Sequence, residues 1–232
     1  MTQERLRRAE SLMKDSNQQG ITLSLLGGAA VATLCASARV AGAYARSLGD
    51  VDLATTGKSG SAVDRFLRAS GLEADEQCNN MNGYLRMRYF DADESHIDVF
   101  IDELRLCHVV SWRRTLLAGM STLPISLLPL TKLQVVALEA KDRSDLSAVL
   151  TDQWESLWLD RTTLARLVGN DWGLWRTGRG TLELLAAQGD PLVRERSEQL
   201  LEFWRAIKFG PRARARSVIG DRVRWYEEPE EV

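Results

Sequence analysis

The stretch ITLSLLGGAAVATLCASA at residues 21–38 decides the fold that we expect for this chain. Residues 21–26 are a short apolar run with Thr and Ser, which favours a strand. Gly27-Gly28 ends this run, and the alanine-rich residues 29–38 favour a helix. Glycines let backbone amides approach an anion closely, and a helix N-terminus favours negative charge. The stretch predicts a joint suited to a phosphate, although ordinary turns show the same pattern.

About twenty residues later, Asp50-Val51-Asp52-Leu53 places two carboxylates two positions apart. Residues 50–55 are predicted to form a strand, on which side chains two apart point to the same side. Two carboxylates this close repel each other unless a cation lies between them. Mg²⁺ prefers oxygen ligands and would bind there with the phosphates of a nucleotide. A solvated strand start with two surface aspartates is the equally good alternative.

A hairpin supplies a third carboxylate. Residues 84–90 and 96–101 are aromatic or β-branched runs, and residues 91–95 between them have turn composition, which predicts an antiparallel pair. Asp98 lies between two apolar neighbours, where a charge is costly unless it points to a cation or a cleft. Asp102 would share its strand face but lies near the strand end, so we expect it at the surface. Asp98 is therefore the candidate third metal ligand.

The three motifs together describe a site for an in-line displacement assisted by two metal ions. Asp50 and Asp52 would hold two Mg²⁺ ions, with Mn²⁺ as the alternative metal. Asp98 would hold the catalytic ion and act as general base toward an attacking hydroxyl.

The remaining sequence predicts an α+β fold. The chain has 232 residues, 44% hydrophobic content and a net charge of -2, which is typical of a globular protein of one or two domains. Residues 3–18 and 61–70 are expected to be helices, and strand signals fade after Trp112. Five further helices are predicted, at residues 130–140, 145–158, 163–168, 181–187 and 191–207. A mixed α/β half at residues 1–115 would precede a helical domain at residues 116–232.

These motifs resemble the nucleotidyltransferase superfamily of DNA polymerase β, whose pattern is hydrophobic-Gly-Gly/Ser, then Asp-x-Asp, then a separate Asp. The resemblance covers about residues 21–102. It implies a polymerase-β-like catalytic domain at residues 1–115 that moves a nucleoside monophosphate from a nucleoside triphosphate to an acceptor. Gly27 and Gly28 would contact the nucleotide.

A narrower resemblance is to the AbiEii-type nucleotidyltransferases, the toxins of certain toxin–antitoxin pairs. Arg46 matches an arginine before their Asp-x-Asp motif, and Lys132 and residues 141–146 are similar to their helical lysine and charged helix start. This implies that Arg46 and Lys132 contact the nucleotide and that Asp145 or Asp142 completes the site or orients Lys132. It also implies tRNA or another macromolecule as acceptor and an antitoxin as partner. From the residues alone, Lys132 could be a surface residue and Arg46 could pair with a surface carboxylate.

Composition makes some classes of protein unlikely candidates. Three widely spaced cysteines and two histidines lack the spacing of a zinc site. Unpaired cysteines without a signal peptide favour the cytoplasm. The longest apolar stretch is shorter than the ~20 residues that span a bilayer, so we expect no membrane partner.

Other functions remain open. Residues 194–224 combine nine basic residues with four acidic ones and carry interleaved aromatics, which suits either RNA binding or a solvated helix face. The same catalytic half would serve an enzyme that modifies an antibiotic such as an aminoglycoside or a lincosamide. A catalytically inactive binding module and a metal nuclease are further alternatives.

Overall fold

A computed structural model describes residues 2–39 and 41–228, with the side chains of residues 2 and 3 left out. The fold is α+β with a mixed sheet, as predicted. The chain forms two compact units. Unit 1 comprises Met1–Leu104 and Ser111–Pro124, and unit 2 comprises Arg105–Val110 and Ile125–Val232.

Unit 1 is built on a five-stranded sheet. Its strands are β1 (Leu23–Leu25), β2 (Val51–Thr55), β3 (Glu73–Ala74), β4 (Arg86–Phe90) and β5 (His96–Ile101). Its helices are α1 (Thr2–Gln18), α2 (Gly27–Leu34), α3 (Gly60–Ala69) and α4 (Glu76–Asn82). The spatial order is β1-β2-β5-β4-β3, in which β2 and β5 are parallel and the other neighbours are antiparallel. Two short strands, β6 (Glu103–Arg105) and β7 (Val109–Ser111), pair where the chain leaves unit 1 and returns to it.

One face of this sheet is the core of unit 1. Leu53, Val99 and Tyr89 on three neighbouring strands are all fully buried, and each such side chain stabilises the fold by about 1.5–3 kcal/mol. The amphipathic helix α3 lies against this face, as shown by the hydrogen bond that the Tyr89 hydroxyl donates to Oδ1 of Asp64 on that helix at 2.7 Å. Side chains alternate along a strand, so the neighbouring residues of these strands point to the opposite face. That opposite face carries the candidate site.

Unit 2 is helical. Its helices are α5 (Leu130–Leu133), α6 (Ala140–Asp152), α7 (Trp154–Leu159), α8 (Arg161–Val168), α9 (Trp172–Gln188), α10 (Pro191–Arg205) and α11 (Pro211–Ile219). Trp175 and Trp204 lock α9 to α10, since the indole N–H of each donates to the backbone carbonyl of the other at 2.9 Å. Asp190 caps α10 by accepting from the amides of Leu192 and Val193, and Pro191 occupies its first turn as predicted.

Most elements agree with the sequence-based predictions, including the antiparallel pair of β4 and β5. The single helix predicted at residues 130–140 is wrong, because α5 ends at Leu133 and α6 begins at Ala140. The β-branched pair Val135-Val136 lies in this break and has low helix propensity. The helix predicted at residues 29–38 is displaced: α2 begins at Gly27 and ends at Leu34, and a 3₁₀ turn follows. The helix predicted at residues 145–158 is divided, because α6 ends at Asp152 and α7 begins at Trp154. The helix predicted at residues 181–187 is longer, because α9 begins at Trp172. Helices α4 and α11 and the short strands β3, β6 and β7 were not predicted.

No helix in the described ranges is long and apolar enough to cross a membrane.

Candidate active site

A row of paired residues crosses the polar face of the unit 1 sheet. The Cα atoms of Asp52 on β2 and Asp98 on β5 are paired in parallel register. On the other side of Asp98, the antiparallel partner on β4 is Arg88. On the side of Asp52 away from Asp98, its backbone carbonyl accepts a hydrogen bond from the amide of Leu26 at 2.8 Å. The register therefore places two of the predicted carboxylates side by side at the joint that enters α2.

Asp98 is held by two arginines from β4. Arg86 binds it with two hydrogen bonds, from Nε to Oδ1 at 3.0 Å and from Nη2 to Oδ2 at 2.7 Å. Arg88 adds a third, from Nε to Oδ1 at 3.1 Å. The sequence predicted that the buried charge of Asp98 needs a cation, and the structure supplies guanidinium groups in that role. Burial lowers the pKa of Arg86, but the hydrogen bonds and charge of Asp98 outweigh this effect, and the pKa lies above its usual value.

Gly27 lies directly against Asp52. Its φ of +59° is in the left-handed region, which glycine adopts without the steric cost that a side chain meets. A β-carbon at this position would overlap Oδ2 of Asp52. Two separate constraints therefore favour glycine at position 27: the left-handed backbone conformation and the space that the Asp52 carboxylate occupies.

Gly28 lies against the guanidinium of Arg46 in the same way. A β-carbon at Gly28 would overlap Nη2 of Arg46. The guanidinium thus sits beside the first turn of α2, which carries a partial positive charge. Two positive groups that face each other favour an anion between or beside them, and a phosphate has the charge and the acceptor oxygens for both.

Two further predictions need correction. Asp50 precedes β2, which begins at Val51, and its side chain is exposed, so strand alternation does not align it with Asp52. Asp102 is only 8% exposed and is not a surface residue. It adopts a φ of +66° and accepts from the amide of Gly57 at 3.1 Å, and its carboxylate also pairs with Arg113 at 2.9 Å. Asp102 is a structural anchor for the loop after β2.

Lys132 in unit 2 bridges both candidate carboxylates of α6. Its Nζ donates to Oδ1 of Asp142 at 2.7 Å and lies 3.4 Å from Oδ2 of Asp145. The two aspartates are 6% and 3% exposed. The sequence left Asp142 and Asp145 as alternatives, and the geometry brings both to the lysine.

The carboxylates Asp52 and Asp98 would suit a magnesium ion that is also bound by the phosphates of a substrate. Within the residues that the structure describes, no three His, Cys, Asp or Glu side chains are arranged to share a metal ion. Mg²⁺ sites in nucleotide-dependent enzymes, however, commonly use one or two carboxylates plus substrate phosphates. Asp52 and Asp98 provide two carboxylates in register. Oδ2 of Asp98 accepts one arginine hydrogen bond where Oδ1 accepts two, so it retains acceptor capacity.

Arg86 and Arg88 were missed from the sequence. The signal was present, since their spacing of two within a predicted strand puts both guanidinium groups on one face. What the sequence could not show was the antiparallel register that aligns Arg88 with Asp98.

Comparison of the chain with protein-family models finds no matching family, and comparison with curated proteins finds no match.

Proposed function

We propose that this protein is a metal-dependent nucleotidyltransferase with a polymerase-β-like catalytic unit. It would move a nucleoside monophosphate from a nucleoside triphosphate to a macromolecular acceptor such as tRNA, in the manner of an AbiEii-type toxin. The observation that carries the proposal is the convergence of Gly27 on Asp52 and of Gly28 on Arg46, with Asp98 in register beside Asp52.

One set of residues in the candidate site would bind the phosphates, and a second set would hold the metal ion. The amides at the start of α2 and the Arg46 guanidinium would bind the triphosphate oxygens. Asp52 and Asp98, with the exposed Asp50, would hold Mg²⁺, and Mn²⁺ would suit the same oxygen donors. The bound ion would neutralise the phosphates and the leaving pyrophosphate. Lys132 pairs with Asp142 and Asp145 within unit 2, and its contact with the nucleotide is implied by the AbiEii resemblance alone.

The proposed transfer forms one bond to phosphorus, breaks one, and moves one proton to a side chain of this protein. The acceptor oxygen would attack the α-phosphorus while the bond from that phosphorus to the β-phosphate oxygen breaks, which releases pyrophosphate. Oδ2 of Asp98, the less occupied of its two oxygens, would either accept the hydroxyl proton or bind the ion, because Arg86 already occupies one of its lone pairs. Arg86 and Arg88 would fix this carboxylate in position, because three hydrogen bonds restrict its rotation.

The charges around the site favour an anionic or neutral acceptor over a cationic one. Asp52 and Asp98 share this region with three arginines, 46, 86 and 88, and Arg86 and Arg88 pair directly with Asp98. An aminoglycoside carries several positive charges and would need an acidic surface. This balance supports a nucleic-acid acceptor and weighs against an antibiotic acceptor.

One observation supports a second candidate function, an inactive nucleotide-binding module. The pairing of Asp98 with two arginines neutralises the proposed base. In such a module the glycine pair and Arg46 would bind a nucleotide, and no pyrophosphate would be released. Release of pyrophosphate in the presence of acceptor separates the two functions.

The proposal is tested by mixing the purified protein with Mg²⁺, total tRNA and each of four triphosphates labelled at the α-phosphorus. We expect label on RNA with at least one triphosphate, and loss of labelling by at least about 10²-fold in Asp52→Asn, which retains the side-chain volume. Asp93→Asn, an exposed residue of the β4–β5 turn, is the matched control and should label normally. Binding of a triphosphate without labelling of RNA, protein or antibiotic would support the inactive module instead.

An antitoxin partner remains part of the proposal through the AbiEii resemblance. Growth arrest upon expression of the wild-type chain, with normal growth for Asp52→Asn, is the result expected of a toxin. Arrest by both forms would contradict a toxic activity that depends on nucleotide transfer.

A further inference from the structure

The segment from Phe203 to Gly220 in unit 2 contains five basic residues and no acidic one. Two of the five have structural partners. Arg205 pairs with Glu183, and Arg216 donates to the carbonyls of Gly220 and Val223. Within residues 2–39 and 41–228, the other three have no ion-pair partner, and all three are exposed: Lys208, Arg212 and Arg214. Their charge is therefore available to a ligand.

An open apolar groove of about 390 Å³ lies beside these cations. Its walls come from Phe209 and from one stripe of α11, at Pro211, Arg214, Ala215 and Val218. These four helical positions follow the i, i+3, i+4, i+7 spacing of a single helix face. Surface helices normally bury such a stripe, yet Val218 is 79% exposed. The buried residue of α11 is instead Ala213, on another face.

Phe209 is a rigid wall of this groove. Its ring meets the Trp175 ring edge to face, with centroids 5.2 Å apart and planes at 89°. Trp175 is itself fixed by its hydrogen bond to the Trp204 carbonyl. A fixed aromatic ring beside guanidinium groups is the combination that stacks unpaired bases and binds the adjoining phosphates.

We propose that this surface, formed by Lys208, Phe209, Arg212, Arg214 and Val218, binds a single-stranded segment of RNA. The bases would stack on the apolar groove, and the phosphates would contact the three cations. Charge complementarity selects an anionic ligand, and the aromatic wall favours a nucleobase over the aliphatic stem of a glutamate. The inference rests on the proposed function only for the use of the RNA as an acceptor, because binding at this surface requires neither the triphosphate nor the metal.

The test measures binding of a fluorescein-labelled 20-nucleotide RNA of mixed sequence to the full chain by fluorescence anisotropy, from 50 to 300 mM NaCl. The variant Lys208→Gln/Arg212→Gln/Arg214→Gln removes the three cations and should fold normally, because their side chains are exposed. Each phosphate contact in a single strand contributes about 0.7 to the slope of log K against log salt. We expect the slope to fall by about 2 and affinity at 100 mM salt to fall by at least roughly tenfold.

The matched control removes three exposed cations elsewhere, in Arg7→Gln/Lys14→Gln/Arg114→Gln. It changes the net charge equally and should keep the wild-type slope. Val218→Asp tests the groove itself and should weaken binding at unchanged thermal stability, because this side chain is largely exposed. Equal affinities for the two triple variants, or no RNA binding by the wild type at 50 mM salt, would overturn the proposal.

Two further arms separate the remaining outcomes. Polyglutamate of the same charge should compete poorly with the RNA, and equal competition would assign the surface to an acidic protein and overturn the RNA proposal. Asp52→Asn should bind the RNA as the wild type does. If RNA labelling persists while the triple variant binds normally, the surface assignment fails and the proposed function stands. If the surface binds RNA and no transfer occurs, the proposed function fails alone.

Discussion

Gly28 and Arg46 are packed so closely that a β-carbon on Gly28 would overlap Nη2 of the guanidinium. The contact explains why a second glycine follows Gly27, since the φ of Gly28 is not in the left-handed region. It also joins a positive side chain to the positive end of α2. An anion at this point would stabilise both groups.

The Gly28 contact predicts a coupling with Arg46. Gly28→Ala should change the free energy of unfolding by less than about 1 kcal/mol, because the overlapping Nη2 is the far end of a flexible side chain and alanine favours the helix. In the Arg46→Ala background the same substitution should be neutral or stabilising, so the double-mutant cycle should give a coupling of about 0.5–1 kcal/mol. Urea unfolding measures the cycle. Additive effects of the two substitutions would contradict the contact.

At Gly27 the effect of a strained backbone conformation can be separated from the effect of steric overlap with Asp52. Gly27→Ala should destabilise the protein through both its φ of +59° and the overlap with Asp52. Gly20→Ala is the matched control, since its φ is +66° and no heavy atom lies within 4 Å of the added β-carbon. The control should cost about 1–2 kcal/mol from the left-handed conformation, and Gly27→Ala should cost more and also abolish nucleotide transfer. Equal losses in both variants would mean that Asp52 does not press against Gly27.

Asp98 should depend more on Arg86 than on Arg88. Arg86 makes two hydrogen bonds to the carboxylate and Arg88 makes one. Hydrogen bonds to charged groups contribute about 1.5–3 kcal/mol each when their partners are buried. Double-mutant cycles of Asp98→Asn with Arg86→Gln and with Arg88→Gln, measured by urea unfolding, should give the larger coupling for Arg86. A larger coupling for Arg88 would contradict the bidentate geometry.

Lys132 should stabilise unit 2 far more than a surface lysine does. Lys132→Met would leave Asp142 and Asp145 buried without their shared cation, at a cost of about 3 kcal/mol. Lys141→Met is the matched control, because Lys141 pairs with Glu139 in an exposed position, and it should change stability by less than about 1 kcal/mol. Thermal unfolding of both variants decides the point. Similar melting temperatures would show that the Lys132 cluster is not a structural element.

His108 predicts a dependence of stability on pH. Burial lowers the pKa of His108, and the charges of Asp171 and Glu227 offset only part of this effect. The unfolded chain therefore binds the proton more readily, and the free energy of unfolding falls as pH drops below the usual histidine value of about 6.5, until the lowered pKa is passed. The neutral ring fits its surroundings, since Trp225 Nε1 donates to Thr177 Oγ1, whose hydroxyl can donate to His108 Nε2 at 2.9 Å.

Urea unfolding between pH 5 and 7.5 tests this dependence. His108→Gln should flatten the change in stability across this range, whereas His96→Gln on β5 should retain it. An unchanged pH dependence in His108→Gln would show that another group controls stability there.

Sequence patterns predicted the elements that carry the candidate site but not the way in which the site is assembled. The strand–glycine–helix joint and the β4–β5 hairpin follow from local composition, and both are present. The pairing of Asp52 with Asp98 depends on a parallel register between strands far apart in the chain, and single-sequence periodicity does not encode register. The spacing of Arg86 and Arg88 predicts that they share a strand face, but their pairing with Asp98 depends on the register of the β4–β5 hairpin, which periodicity does not give either.

Asp102 and Lys132 show a second limit of sequence reasoning. Asp102 follows the last residue of β5, where side chains are commonly exposed, but its positive φ turns the chain so that its carboxylate reaches the Gly57 amide. Lys132 lies in an apolar neighbourhood that suits a surface lysine equally well. Only the start of α6, which brings Asp142 and Asp145 to it, distinguishes the two interpretations.

The most direct test of nucleotide transfer compares the fates of the α- and γ-phosphates. The purified protein, Mg²⁺ and tRNA are incubated in parallel with a triphosphate labelled at the α-phosphorus and with the same triphosphate labelled at the γ-phosphorus. Nucleotidyl transfer predicts that α-label becomes attached to the RNA, that γ-label appears in pyrophosphate, and that both signals are lost in Asp52→Asn. Attachment of the γ-label to the acceptor, or release of inorganic phosphate in place of pyrophosphate, would contradict the account.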